Sequence, residues 1–100
     1  MNYPINQKCI IRCTNAGVFY ATLTEFDNTT NTAVLADCRR IWYWSGAASL
    51  SQLAMEGVKK PKECKFTMVV PSMAVTEVIE MIPCTDKAIK NIEAVKVWMM

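Results

Sequence analysis

The chain contains no histidine among its 100 residues. That removes Ser-His-Asp triads, HExxH zinc sites and imidazole general bases together. The nine acidic residues are scattered and form no paired-carboxylate motif. A catalyst would have to rest on lone carboxylates, a Lys or a Cys, so the sequence predicts a non-enzymatic protein without a cofactor. Apolar runs are also short. None approaches the roughly 20 residues needed to span a bilayer, so no membrane partner is expected. Met1-Asn2-Tyr3-Pro4 is polar and lacks the apolar stretch of a secretory leader. The five cysteines are odd in number and contain no C-x-x-C pair. Together these features predict a reduced, cytoplasmic protein.

Charge is equally sparse. The formal net charge is +2, too little to predict a long nucleic acid as partner, which favours a strongly basic face. Lys59, Lys60, Lys62 and Lys65 form a local cluster that reads as a solvated loop. Arginine occurs only at positions 12, 39 and 40. What the chain does have is apolar material, 52% of its residues. That suffices for one core, and 100 residues predict one domain, 1–100.

Lys8 to Thr14 reads as a strand, with Cys9, Ile11 and Cys13 on one face at period two. Asn15-Ala16-Gly17 is a turn signal, and Val18 to Phe26 is a second strand rich in β-formers. A polar turn over 27–31 leads into a third strand, Thr32 to Trp44, and together the three predict an antiparallel meander. The apolar phase of the third strand cannot be held across Asp37, which predicts a bulge there. Ser49 or Ser45 caps a helix running to about Glu56, with Leu50, Leu53 and Ala54 inward and Gly57 at its C-terminal end. Cys64 to Val70 reads as a fourth strand, Pro71-Ser72 as a turn, and Ala74 to Ile82 as a fifth strand. The fifth is so uniformly apolar that it predicts a strand that is central or covered on both faces. Thr85 caps a second helix from Asp86 to about Glu93, with Ala88, Ile89 and Ile92 inward. Val97 and Trp98 are expected to dock on the body. The order β-β-β-α-β-β-α predicts an α+β fold, either a small β-rich barrel or a curled antiparallel sheet, with two short helices.

One segment stands apart: Arg39-Arg40-Ile41-Trp42-Tyr43-Trp44, followed by Ser45-Gly46-Ala47-Ala48-Ser49. Arginine binds anions as a planar fork, and Trp and Tyr offer flat faces for stacking. Small residues at a helix start let a ligand approach backbone N–H groups. The segment lacks the Lys and glycine spacing of a P-loop, so a close-packed helix start is the plain alternative. Alternation sends Arg39 and Arg40 to opposite faces, and Trp42 and Trp44 to one face with Tyr43 on the other. Salt bridges to Asp37, Glu77 or Glu80 are an ordinary use for the arginines. Large groups on both faces predict a homo-oligomer. The cysteines, Cys9, Cys13, Cys38, Cys64 and Cys84, read as buried small hydrophobes rather than zinc ligands.

The run Arg39 to Lys59, with Pro61, Glu63, Cys64, Lys65 and Phe66 after it, resembles a family of short uncharacterised proteins of phages and prophages. Val78 to Thr85 and the terminal Val97-Trp98 resemble the end of that family. The β-rich order also resembles the decorated Greek-key barrel of phage anti-Thoeris sponges, and by extension anti-CBASS sponges, which sequester cyclic nucleotide signals without cleaving them. The resemblance implies an anti-defence protein of the host cytosol that binds a small anionic nucleotide. Arg39 and Arg40 would hold phosphate, Trp42, Tyr43 or Trp44 would stack, and Gly46, Ala47 and Ser49 would offer the helix start. The rival expectation is a protein–protein inhibitor that plugs a host defence enzyme through its aromatic surface.

Overall fold

The computed structural model describes residues 2–100. Five strands form one antiparallel sheet: β1 (Lys8–Cys13), β2 (Gly17–Asp27), β3 (Thr32–Tyr43), β4 (Lys65–Val75) and β5 (Val78–Pro83). Helix α1 (Leu50–Glu56) and a 3₁₀ turn (Pro61–Glu63) lie between β3 and β4, and α2 (Asp86–Glu93) follows β5. The sheet order is β4-β3-β2-β1-β5. The edge strands β4 and β5 are therefore farthest apart across the sheet, yet only Thr76 and Glu77 separate them in the chain. A flat sheet could not be joined so briefly, so the strip must curl. Glu77 turns the corner at φ 57. The Thr14 N–H donates to the Glu77 carbonyl at 3.0 Å and the Val78 N–H to the Asn31 carbonyl at 3.1 Å. No ladder joins β4 to β5. The fold is thus a curled α+β sheet that stops short of a closed barrel.

Curling gives the sheet two buried faces. The inner face packs on itself through Cys9, Ile11, Phe19, Leu23, Leu35 and Cys38. The outer face carries Ile10, Tyr20, Ile41 and Phe66 under the two helices, which contribute Leu53, Ala54, Ala88 and Ile92. Covering both faces explains why β1 reads Cys-Ile-Ile with no polar break. Fully burying side chains such as Phe19 and Phe66 contributes roughly 1.5–3 kcal/mol each.

The helices follow their caps. The Ser49 side chain accepts the Gln52 N–H, and Gly57, at φ 79, returns its N–H to the Leu53 carbonyl. The Thr85 side chain accepts the Ala88 N–H. Leu53, Ala54, Ala88 and Ile92 are buried, and Ile89 is half-buried. Val97 bridges to Phe66, and the Trp98 N–H donates to the Phe66 carbonyl at 2.8 Å, which ties the tail to the edge of β4.

Two expectations need correction. Pro71-Ser72 is not a turn but lies inside β4, and the turn falls at Thr76-Glu77. Proline is tolerated because β4 is an edge strand, where a missing N–H costs no ladder bond on the open side. The last strand is not central either: β5 pairs only with β1, and Ile79 is exposed. Its apolar run is covered only in part: Val78 is buried, Met81 is half-buried against the inner core and Ile82 against the outer one.

The bulge expected at Asp37 is present. Between the pairs Tyr20–Arg39 and Thr22–Ala36 the register slips by one residue, and Asp37 sits at φ 48. Before it, Ala33 and Leu35 face inward; after it, Cys38 does. Parity has changed, so Arg39 turns outward beneath the helices and Arg40 inward, over the ring of Phe19.

Candidate functional site: an indole-walled groove on the rim

Arg39 is 3% exposed. Its Nε donates to the Thr67 carbonyl at 2.8 Å, Nη1 to Ile92 at 3.0 Å and Nη2 to Val95 at 2.6 Å. The Phe66 ring centroid lies 5.4 Å from its guanidinium carbon. No carboxylate pairs with it; the two ion pairs among the described residues are Lys8–Glu93 and Arg12–Glu80. The charge instead rests on carbonyls at the C-terminal end of α2, where the helix dipole is negative. Burial holds the guanidinium below its usual pKa. All three nitrogens are committed to the protein, so Arg39 joins helix to sheet.

Beside it, the Tyr20 hydroxyl donates to Glu93 at 2.6 Å, and Lys8 Nζ lies 3.6 Å from the same carboxylate. Burial, reinforced by that hydrogen bond, pushes the Tyr20 phenol upward. A small cavity of about 240 Å³ opens here, lined by Lys8, Tyr20, Asp37, Arg39, Val69 and Glu93. Two cations face two carboxylates, so the cavity carries no net charge to attract an ion.

Arg40 lies in a different setting. Its Nη1 donates to the Ala16 carbonyl at 3.0 Å, and its guanidinium carbon sits 4.8 Å from the Phe19 ring centroid. Among the described residues Nε and Nη2 have no partner. Arg40 lines a groove of about 350 Å³ with Trp42, Trp44 and the turn Asn15-Ala16-Gly17. That volume falls within the range of small-molecule sites. Gly17 is at φ +105, and a Cβ there would meet nothing within 4 Å. At Gly17 the groove is therefore lined by bare backbone. Trp42 is 64% exposed, while Trp44 is half-buried against the outer core. All three line this one groove, although β3 ends at Tyr43 and Trp44 packs toward the outer core. Tyr43 lies opposite Lys65 in the ladder, exposed and outside the groove.

The small-residue helix start does not join them. A Cβ on Gly46 would come within 2.5 Å of the Lys59 nitrogen, and the Gly46 carbonyl accepts the Lys59 N–H at 3.1 Å. Gly46 thus allows two chain segments to touch. Ala47 packs on the outer core. Ser49 is occupied as the helix cap, and the Ala48 N–H is taken by Gln52 Oε1 at 2.7 Å. The plain reading of this segment is the one the packing supports.

Two lining elements escaped the sequence. The 15–17 turn was recognised as a turn, but not as the wall facing Arg40. Trp98 was expected to dock, but not to stack on Trp42 with ring centroids 6.5 Å apart and planes 13° from parallel. Its other surroundings are Pro61, Lys62, Cys64, Ala94, Lys96 and Val97, around a groove of about 580 Å³. The Trp42–Trp98 pair thus stands between two grooves.

Cys9 and Cys38 are fully buried, with thiols pushed up to about 11 by desolvation; Cys84 is pushed up to about 12 by the same cause. Such thiols are poor nucleophiles at neutral pH. Cys64 holds two loops together: its Sγ accepts the Ser45 N–H at 3.4 Å and lies 3.5 Å from the Lys60 carbonyl. Among the described residues no three Cys, Asp or Glu side chains gather as metal ligands. No helix among them is long and apolar enough to cross a membrane.

Fold and rim together define a small curled-sheet α+β domain with an arginine-bearing, indole-walled groove. The chain belongs to the DUF6948 family, described as a domain of unknown function, whose match spans residues 6–92. That span runs from just before β1 into α2 and leaves Lys96 and Trp98 beyond it. No curated protein and no solved structure matches the chain.

Proposed function

We propose that this protein is a non-enzymatic binder that sequesters a small anionic nucleotide in the Arg40 groove. The observation that carries this reading is the pairing of free guanidinium donors on Arg40 with the exposed face of Trp42 over a bare turn. Arginine recognises phosphate as a fork, and an indole stacks on any base. The resemblance to short phage proteins extends the reading: a phage-encoded sponge, in the cytosol of the infected cell, that withdraws a cyclic nucleotide immune signal. The edge of β4 beyond the Phe66–Val97 bridge, with Met68 and Val69 exposed, supports assembly as a homo-oligomer.

Calorimetry against mononucleotides and cyclic di- and trinucleotides tests the proposal. The parent should bind at least one of them, and Arg40→Gln should weaken that binding by about 1.5–3 kcal/mol, the scale of a hydrogen bond to a charged group. A parent that binds none, or an Arg40→Gln variant that binds like the parent, refutes it. The rival reading, a plug for a host defence enzyme, draws on one observation: Trp42, Tyr43, Met68 and Met99 are each more than half exposed. Large exposed apolar surface marks protein contacts.

A further inference from the structure

Charge on this molecule is lopsided. Residues 59–65 together with Lys96 hold five lysines against one glutamate, Glu63, although the whole chain nets only +2. The remainder is therefore net negative. Among the described residues none of these lysines forms an ion pair, since the two pairs found there involve Lys8 and Arg12. Tail pairing gathers the charge: the Val97 bridge to Phe66 brings Lys96 to the same groove as Lys62. Trp98, 38% exposed, forms the wall of that groove, and Lys65 Nζ lies 5.4 Å from its ring centroid. Trp42 stacks behind it. Unneutralised cations lining a groove that also presents an indole are the two elements of single-strand recognition: lysines follow the phosphates, and the ring takes a base. The groove, at about 580 Å³, is larger than the Arg40 groove, at about 350 Å³.

We infer that the Lys62–Lys96–Trp98 groove binds single-stranded nucleic acid, with phosphates on the lysines and a base against Trp98. This site is separate from the Arg40 groove and takes a different ligand, a strand instead of a free nucleotide. A duplex keeps its bases stacked inward and offers none to the indole.

Fluorescence anisotropy with labelled oligo-dT and oligo-U, each about ten nucleotides long, tests the inference within the usual span of small single-strand binders. Both should bind at low salt and weaken steeply as salt rises, because phosphate contacts release counterions. The double variant Lys62→Gln/Lys96→Gln should weaken binding tenfold or more, and Trp98→Ala by at least fivefold. Lys87→Gln/Lys90→Gln, which removes equal charge from the exposed side of α2, should bind within twofold of the parent. The lysine substitutions are at the surface and leave the fold intact, so they decide the matter even where Trp98→Ala loosens the tail. The inference is overturned if no strand binds at low salt, or if the groove double variant binds like the parent. It is overturned equally if the α2 variant loses as much, or if a duplex of the same length binds as tightly. None of these results bears on nucleotide binding at Arg40, which is read with a different ligand.

Discussion

Arg39 and Arg40 are adjacent in sequence and occupy opposite environments. On the helix-covered face, Arg39 is enclosed, hydrogen-bonded to carbonyls of β4 and of the C-terminal end of α2, and depressed in pKa by burial. On the rim, Arg40 rests on Phe19, spends one nitrogen on the Ala16 carbonyl and, among the described residues, keeps two without a partner. The same side chain serves as an internal strut in one place and as an open hand in the other. Residue type therefore does not assign a role here; the number of carbonyls within reach of each guanidinium does.

The largest test of that contrast is Arg39→Met. It takes a donor from the Thr67 and Val95 carbonyls and leaves Ile92 only its backbone N–H partner from Val95, so stability should fall by about 3 kcal/mol, read as a lower urea midpoint. Arg39→Lys should recover only part of this, because an ammonium cannot reproduce the planar fork. If Arg40→Gln cost as much, the distinction between strut and hand would collapse. Next in size is Gly46→Ala, which forces a Cβ against the Lys59 backbone at φ +89. It should cost about 2 kcal/mol in thermal or urea unfolding without altering ligand binding, as expected of a packing residue.

Alkaline titration separates the two faces by pH. The inner face holds Cys9 and Cys38, whose thiols are pushed up to about 11; the outer face holds Tyr20, whose phenol is also raised. A group with a raised folded pKa gives stability that is complete below its unfolded pKa and is lost as pH climbs toward the folded value. Stability should therefore be flat to about pH 8.5, the ordinary thiol value, and decline from there toward pH 11, with the phenol adding its loss only above its own ordinary value near 10. Cys9→Ala/Cys38→Ala should shrink the earlier part of the decline, leaving the share of the other raised thiols such as Cys84, and leave the later part unchanged. A single loss beginning only above pH 10 would show that the thiols do not contribute. Smallest of all is the effect of Arg40→Gln on the fold: within about 0.5 kcal/mol, as for other surface changes, even as nucleotide binding falls.

Local signals were readable in the chain. Caps at Ser49 and Thr85, the Gly57 stop, the meander and the break in phase at Asp37 all depend on residues close in sequence, and the structure contains each of them. Pro71 misled because a proline marks a turn or an edge equally well, and only the sheet order separates the two. The role of Arg39 depends on carbonyls at Ile92 and Val95, more than fifty residues away. The Lys62–Lys96 groove likewise depends on a tail that finds Phe66. Of the candidate residues, Arg40 and Trp42 share a groove because strand alternation is local, and Trp44 joins them from just past the end of β3. Gly46, Ala47 and Ser49 were drawn to it by composition alone, and their donors and acceptors are used in packing the helix start.

The extra residue at Asp37 behaves in the pleat as a one-base insertion behaves in a gene: everything downstream is read in the other frame. Upstream, odd positions face the thiol-lined interior; downstream, even positions do. Deleting Asp37 would therefore not merely shorten a strand. It would transpose the side chains of Cys38, Arg39, Arg40 and Ile41, driving a guanidinium into an apolar interior and a cysteine under the helices. Substitutions at Asp37 that still accept φ 48, such as Asn or Gly, preserve the frame. For this strand the count of residues carries more information than the identity of the residue that adds to it.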